Sequence, residues 1–97
     1  VFMLYSIKLI FMNINKLSKI IQKKISKEIN YQSLDIQDKT YLHIKHETHT
    51  KGKYHIKLIL KSDELSKMDK LLSTRKVYKI LNEEINIYIH SIQIELI

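Results

Sequence analysis

The run from Tyr54 to Lys61 constrains the fold more than any other part of the chain. Tyr54, Ile56, Leu58 and Leu60 alternate with His55, Lys57, Ile59 and Lys61. Side chains along a strand point to opposite faces with a period of two, so this pattern marks a strand with one face buried and the other wet. Upstream, Leu34 and Ile36 start a first strand, expected to resume around Leu42 and Ile44. Lys45 to Lys53 is polar, carries Gly52, the single glycine of the chain, and reads as a long exposed hairpin loop between the two strands. Downstream, Ile87 to Leu96 reads as a third strand. Its alternation places Tyr88, His90, Ile92, Ile94 and Leu96 on one face and Ser91, Gln93 and Glu95 on the other.

Helical spacing fills the remainder. Leu17, Ile20, Ile21, Ile25 and Ile29 recur as one apolar stripe with lysines opposite, and Asn13 or Asn15 is placed to cap that helix. Ser62 or Asp63 caps a short helix carrying Leu65 and Met68, and a further helix from about Ser73 to Ile85 sets Val77, Ile80, Leu81 and Ile85 on one side. The expected order is αββααβ, without repeat or linker. Hairpin-paired strands covered on one face by helices make an α+β domain with a three-stranded sheet.

The 97 residues suit a single domain, so function has one compact surface to work from. Val1 to Met12 is apolar except for Ser6 and Lys8 and is shorter than the roughly 20 residues needed to cross a bilayer. It lacks the basic start and small-residue cleavage site of a signal peptide. Residues 1–11 are expected to be an extension arising from an upstream start assignment, non-native or disordered, with the functional domain spanning 12–97. Lysine and arginine outnumber aspartate and glutamate by 17 to 10, which favours anionic partners. All but Arg75 of the basic residues are lysine, which argues against base readout, since bidentate arginine is the commonest specific contact. Cysteine is absent, which excludes disulfides and fits a cytoplasmic protein.

Five histidines therefore carry any metal chemistry: His43, His46 and His49 three residues apart, His55 on the second strand and His90 on the third. Iron–sulfur centres and most structural zinc sites draw on cysteine sulfur, so a partner would have to bring thiolates. Taken singly, each histidine has a plain reading. His90 between Tyr88 and Ile92 suits a packing role, His55 alternates with core residues, and the other three sit in a solvated loop. Three-residue spacing would align them only on a helix, which the pattern does not support, so a self-contained three-histidine zinc site is not expected. Tyr78 reads as core, and Arg75 and Lys76 as a solvated face or partner contacts. No nucleophile elbow, phosphate loop or paired carboxylates occur, and no catalytic residue is assigned.

Several segments, taken in order, resemble the BolA family. Asp38-Lys39-Thr40-Tyr41-Leu42-His43 looks like its Asp-x-Ser-x-x-His segment, and His46 matches a second histidine of many members. Tyr54-His55-Ile56-Lys57-Leu58 is similar to its Ser/Thr-His-Phe-x-Val strand, and Ser62 stands where a strand-ending serine is expected. Arg75-Lys76-Val77-Tyr78 matches the end of Arg-His-Arg-x-Val-Tyr, and Ile89-His90-Ser91-Ile92 resembles Val-His-Ala-Leu. The likeness runs from about Met12 to Leu96. Two departures stand out: Leu65-Ser66-Lys67 replaces Phe-x-Gly, and Ser73 and Thr74 replace the first two residues of Arg-His-Arg, which removes positive charge.

The resemblance implies a KH-like fold and partnership with a monothiol glutaredoxin. A shared 2Fe-2S cluster would take thiolates from glutaredoxin and glutathione and imidazole from this chain. It points to His90 as one ligand and to His43, or His46 in its place, as the other. Histidine in place of thiolate raises the potential and supplies an exchangeable ligand. The expectation is a cytoplasmic, non-enzymatic adaptor, a monomer or weak homodimer when alone. The alternative, also implied by the family, is a DNA-binding transcriptional regulator using Arg75 and Lys76. A Gly-x-x-Gly loop that clamps the RNA backbone cannot be built from a single glycine, so RNA binding of that kind is disfavoured.

Overall fold

A computed structural model describes residues 12–40 and 53–97. Helix α1 spans Ile14–Glu28, and Asn13 rather than Asn15 caps it, its side-chain oxygen accepting from Lys16 N–H at 2.9 Å. Its apolar stripe buries Leu17, Ile21 and Ile25 completely. Strands β1 (Ser33–Asp38) and β2 (Tyr54–Lys61) pair antiparallel in the register Leu34↔Leu60, Ile36↔Leu58 and Asp38↔Ile56. The expected resumption of the first strand at Leu42 and Ile44, the 45–53 loop up to Gly52, and residues 1–11 lie outside the described residues.

Past β2, Ser62 caps a short helix α2 (Asp63–Ser66) by accepting from Leu65 N–H at 3.2 Å. The same hydroxyl donates to Asn30 O at 2.7 Å, which joins the α1–β1 turn to the β2–α2 turn. The expected long helix is two helices, α3 (Lys70–Ile80) and α4 (Asn82–Ile87). It begins three residues before Ser73 because Asp69 caps it, accepting from Leu71 N–H at 2.8 Å. It breaks at Leu81, where φ −99° and ψ 15° widen the turn. Hydrogen bonding across the break stays helical, with Leu81 N–H to Val77 O at 3.1 Å and Ile85 N–H to Leu81 O at 2.9 Å. Strand β3 (Ile89–Leu96) starts two residues later than the alternation suggested, because Ile87 closes α4.

The sheet order is β1-β2-β3, with β3 parallel to β2, so the helices form the crossover that a parallel pair requires. They cover one face. Ile56, Leu58 and Leu60 pack there with Leu17, Ile21, Ile25, Val77 and Leu81 in a single core, the arrangement expected of an α+β domain. Glu84 is buried beside it and is held by Lys24 at 2.6 Å, with Glu83 at 3.3 Å from the same ammonium. The Glu84 hydrogen bond, more than the opposing effect of burial, raises Lys24 above its ordinary value. No helix among the described residues is long and apolar enough to cross a membrane.

Candidate functional site

The open face of the sheet carries the chemistry, and an irregularity in β3 places it there. Tyr54 pairs with Ile89, His55 with Ser91 and Ile56 with Ile92. Two steps along β2 from Tyr54 to Ile56 therefore match three steps along β3 from Ile89 to Ile92. The extra residue is His90. A bulge of this kind puts two consecutive side chains on one face, and here they are His90 and Ser91. His90 thus leaves the face that strict alternation gave it with Ile92 and Ile94, and it is exposed, not packed between Tyr88 and Ile92.

His55 faces the same side. Its ring centroid lies 4.9 Å from that of His90, with the planes tilted by 51°, and its Nδ1 shares a 2.6 Å hydrogen bond with Ser91 Oγ. Its backbone is also held: the Lys39 N–H donates to His55 O at 2.7 Å and the His55 N–H to Thr40 Oγ1 at 3.1 Å. Thr40 in turn is folded back onto Asp38, whose Oδ1 accepts from both its N–H and its hydroxyl. Tyr54 N–H donates to Tyr88 O at 2.9 Å, and its hydroxyl donates to Met12 O at 3.3 Å. Burial, reinforced by the charge of Asp38, raises the Tyr54 phenol above its ordinary value. A depression of about 320 Å³ beside the histidine pair is lined by Lys39, His55, Lys57, Ser91 and Gln93.

His43, His46 and His49 lie outside the described residues. The segment carrying them leaves from Thr40 and returns at Lys53, so both of its roots stand at the end of the sheet occupied by His55 and His90. Among the described residues, no three histidine, cysteine or acidic side chains gather tightly enough to hold a metal ion unaided. One exposed imidazole suits a ligand set completed from elsewhere.

Arg75 and Lys76 are not equivalent. Arg75 is exposed, whereas Lys76 reaches Glu64 at 3.2 Å. Ser73 is buried and donates to Leu65 O at 2.9 Å and to Asp69 O at 3.1 Å, so this position ties α2 to α3 and contributes no surface charge. Leu71 and Leu72, one helical turn before Arg75, are exposed at 57% and 54%. Met68 is exposed as well, at 36%; none of the three belongs to the helical stripe, and two adjacent leucines off the Val77–Leu81 stripe were the available signal of exposure. Tyr78 is exposed, not core, and its hydroxyl donates to Ile92 O at 3.3 Å on the edge strand. A groove between α1 and α3, about 530 Å³, is lined by Lys24, Lys27, Glu28, Lys76, Lys79 and Ile80. Two of these lysines are already bound to glutamates, and the groove is separate from the histidines.

The family model described as BolA-like protein matches residues 25–97. The chain belongs to the BolA family. It is 29% identical over 80 residues to the DNA-binding transcriptional regulator BolA of Haemophilus influenzae, covering 82% of this chain and 75% of that protein. Among solved structures it is similar to BolA1 from Arabidopsis thaliana, with TM-score 0.67 and 26% identity, over 78% of this chain and 84% of that one. The BolA domain of SufE1 from Arabidopsis thaliana shares the fold, with TM-score 0.67 and 24% identity, over 88% and 92%. The BolA fold is thus the α+β arrangement expected from the sequence, with one further helix break.

Proposed function

We propose that this BolA-family chain is an adaptor that pairs with a monothiol glutaredoxin to bind, sense or pass on a 2Fe-2S cluster. His90 supplies one imidazole, and His43 or His46 supplies the other. The observation that carries this reading is the bulge, which sets an exposed histidine on the open face at the end of the sheet where the loop histidines are rooted. An imidazole in a dry core cannot meet a partner's cluster; one lifted out of the alternation can. The glutaredoxin and its glutathione would bring the thiolates that this chain lacks. The exposed leucines around Arg75 support docking of a protein surface, since an apolar patch rimmed by charge suits a partner better than phosphates do.

The test is to mix the full chain with cluster-loaded glutaredoxin and follow size-exclusion together with visible circular dichroism. A one-to-one complex with an altered cluster spectrum is expected, and His90→Ala should remove the histidine-ligated spectrum while leaving the far-ultraviolet spectrum unchanged. An unaltered cluster spectrum on mixing sinks the reading.

A second reading, DNA-linked regulation, is favoured by the name of the Haemophilus influenzae relative and by the charge of +7. Its contact residue would be Arg75, because Lys76 is engaged by Glu64. The two readings separate by salt: affinity for DNA should fall steeply as salt is raised, with a slope set by the phosphates neutralised, whereas cluster-bridged association should follow cluster occupancy.

A further inference from the structure

We propose that His55 is the positioning residue of this site: it fixes the exposed His90 imidazole on the open face. For its consequence at the cluster this rests on the adaptor reading; for the geometry it does not. Along the open side of β2, Lys57 and Ile59 are half-exposed and Lys61 is exposed, yet His55 is only 5% exposed. Burial on the uncovered side of a sheet needs a local cause. Among the described residues, the side-chain contacts found there include the His90 ring at 4.9 Å and Ser91 Oγ at 2.6 Å from Nδ1.

A bulged residue lacks the regular ladder partner that steadies its neighbours. Left alone, an exposed side chain at such a position samples several rotamers. His55 removes that freedom: its ring is pinned at one nitrogen by Ser91 and presents a surface on which the His90 ring rests. The backbone of the same residue is itself anchored, accepting from Lys39 N–H and donating to Thr40 Oγ1, so the ring that supports His90 stands on a fixed base. Holding one ligand ring before binding removes the ordering cost of one side chain, equivalent to a factor of about 3 to 10 in affinity.

The experiment uses the full chain as wild type, His55→Ala, His55→Phe and Ser91→Ala. The first readout needs no cluster: NMR relaxation and rotamer averaging of the His90 ring. The ring should be fixed in the wild type, mobile in His55→Ala and largely restored to order in His55→Phe, which keeps an aromatic surface, with Ser91→Ala between. The second readout is the rate at which the mixed complex with glutaredoxin loses its cluster, expected to be about 3 to 10 times faster for His55→Ala with the same type of spectrum. Should His55→Ala fail to fold, Ser91→Ala decides, because it loosens the pin without emptying the space. A His90 ring equally ordered in the wild type and in the folded variants overturns the positioning role. Absence of a mixed complex for the wild type overturns the adaptor reading instead, and the ring dynamics still decide the role of His55.

Discussion

The two faces of the sheet are built from the same strands by opposite rules. On the covered face, Ile56, Leu58 and Leu60 are at most 3% exposed and pack in one core with apolar residues of the helices. On the open face, the same strand offers His55, Lys57, Ile59 and Lys61, and β3 offers Ser91, Gln93 and Glu95. Alternation lets one set be chosen for volume and the other for chemistry, with little interference between them. The bulge at His90 is where the two sets exchange a residue. Function here is a departure from strand regularity, while stability depends on keeping it.

The sharpest way to break the comparison is to damage one face at a time. Leu58→Ala opens a cavity in the covered face and should cost about 2–5 kcal/mol, a large part of the stability of a domain this size; Ile59→Ala, one residue along and only half-buried, should cost less than about 1.5 kcal/mol by urea titration. Equal losses would show that the open face is as tightly packed as the covered one.

Next in size is the buried carboxylate on the helix side. Lys24→Met leaves Glu84 without its ammonium and should cost about 1–3 kcal/mol near neutral pH. The pH dependence has a definite sign. Folding raises Lys24 above 10.5, so its contribution is complete below the unfolded value and disappears as pH rises through the higher folded value. The gap between wild type and Lys24→Met in thermal melts should therefore narrow above about pH 10.5. The raised Tyr54 phenol adds an alkaline loss of its own, but one common to both proteins.

Deleting His90 tests the bulge directly. Ile89, Ser91 and Ile92 would then alternate without interruption against Tyr54, His55 and Ile56, so the fold should survive with a change within about 1 kcal/mol while the candidate ligand is lost. Collapse of the β2–β3 amide protection pattern would mean that the bulge is needed for folding and not only for the site. The smallest effect belongs to Lys57 and Glu95, 3.5 Å apart on the wet face; Lys57→Met should shift stability by less than about 0.5 kcal/mol, and only at low salt.

Much of the covered face was legible because it follows period and capping rules. The α1 stripe, a cap at Ser62 or Asp63 and the alternation of β2 all belong to one segment each, and each was readable there, the structure choosing Ser62. The start of α3 was not, since Leu71 and Leu72 face solvent and broke the stripe, which hid the cap at Asp69. The break at Leu81 has neither glycine nor proline to announce it. His90 shows the deeper limit. Tyr88-Ile89-His90-Ser91-Ile92 alternates acceptably when read back from Ile94, and only the register with β2 shows which residue is extra. Likewise, His55 meets a ring 35 positions away, and no local pattern encodes that pairing.

The mixed order of the sheet has a consequence in time. β1 and β2 are antiparallel and can zip from their connection, whereas β3 lies parallel to β2 and can dock only after the intervening helices have brought the chain back. The contact between His55 and His90 spans that last step. However well β1 and β2 have paired, the two rings stay apart until β3 docks on β2, so the histidine pair comes into being only with that late step.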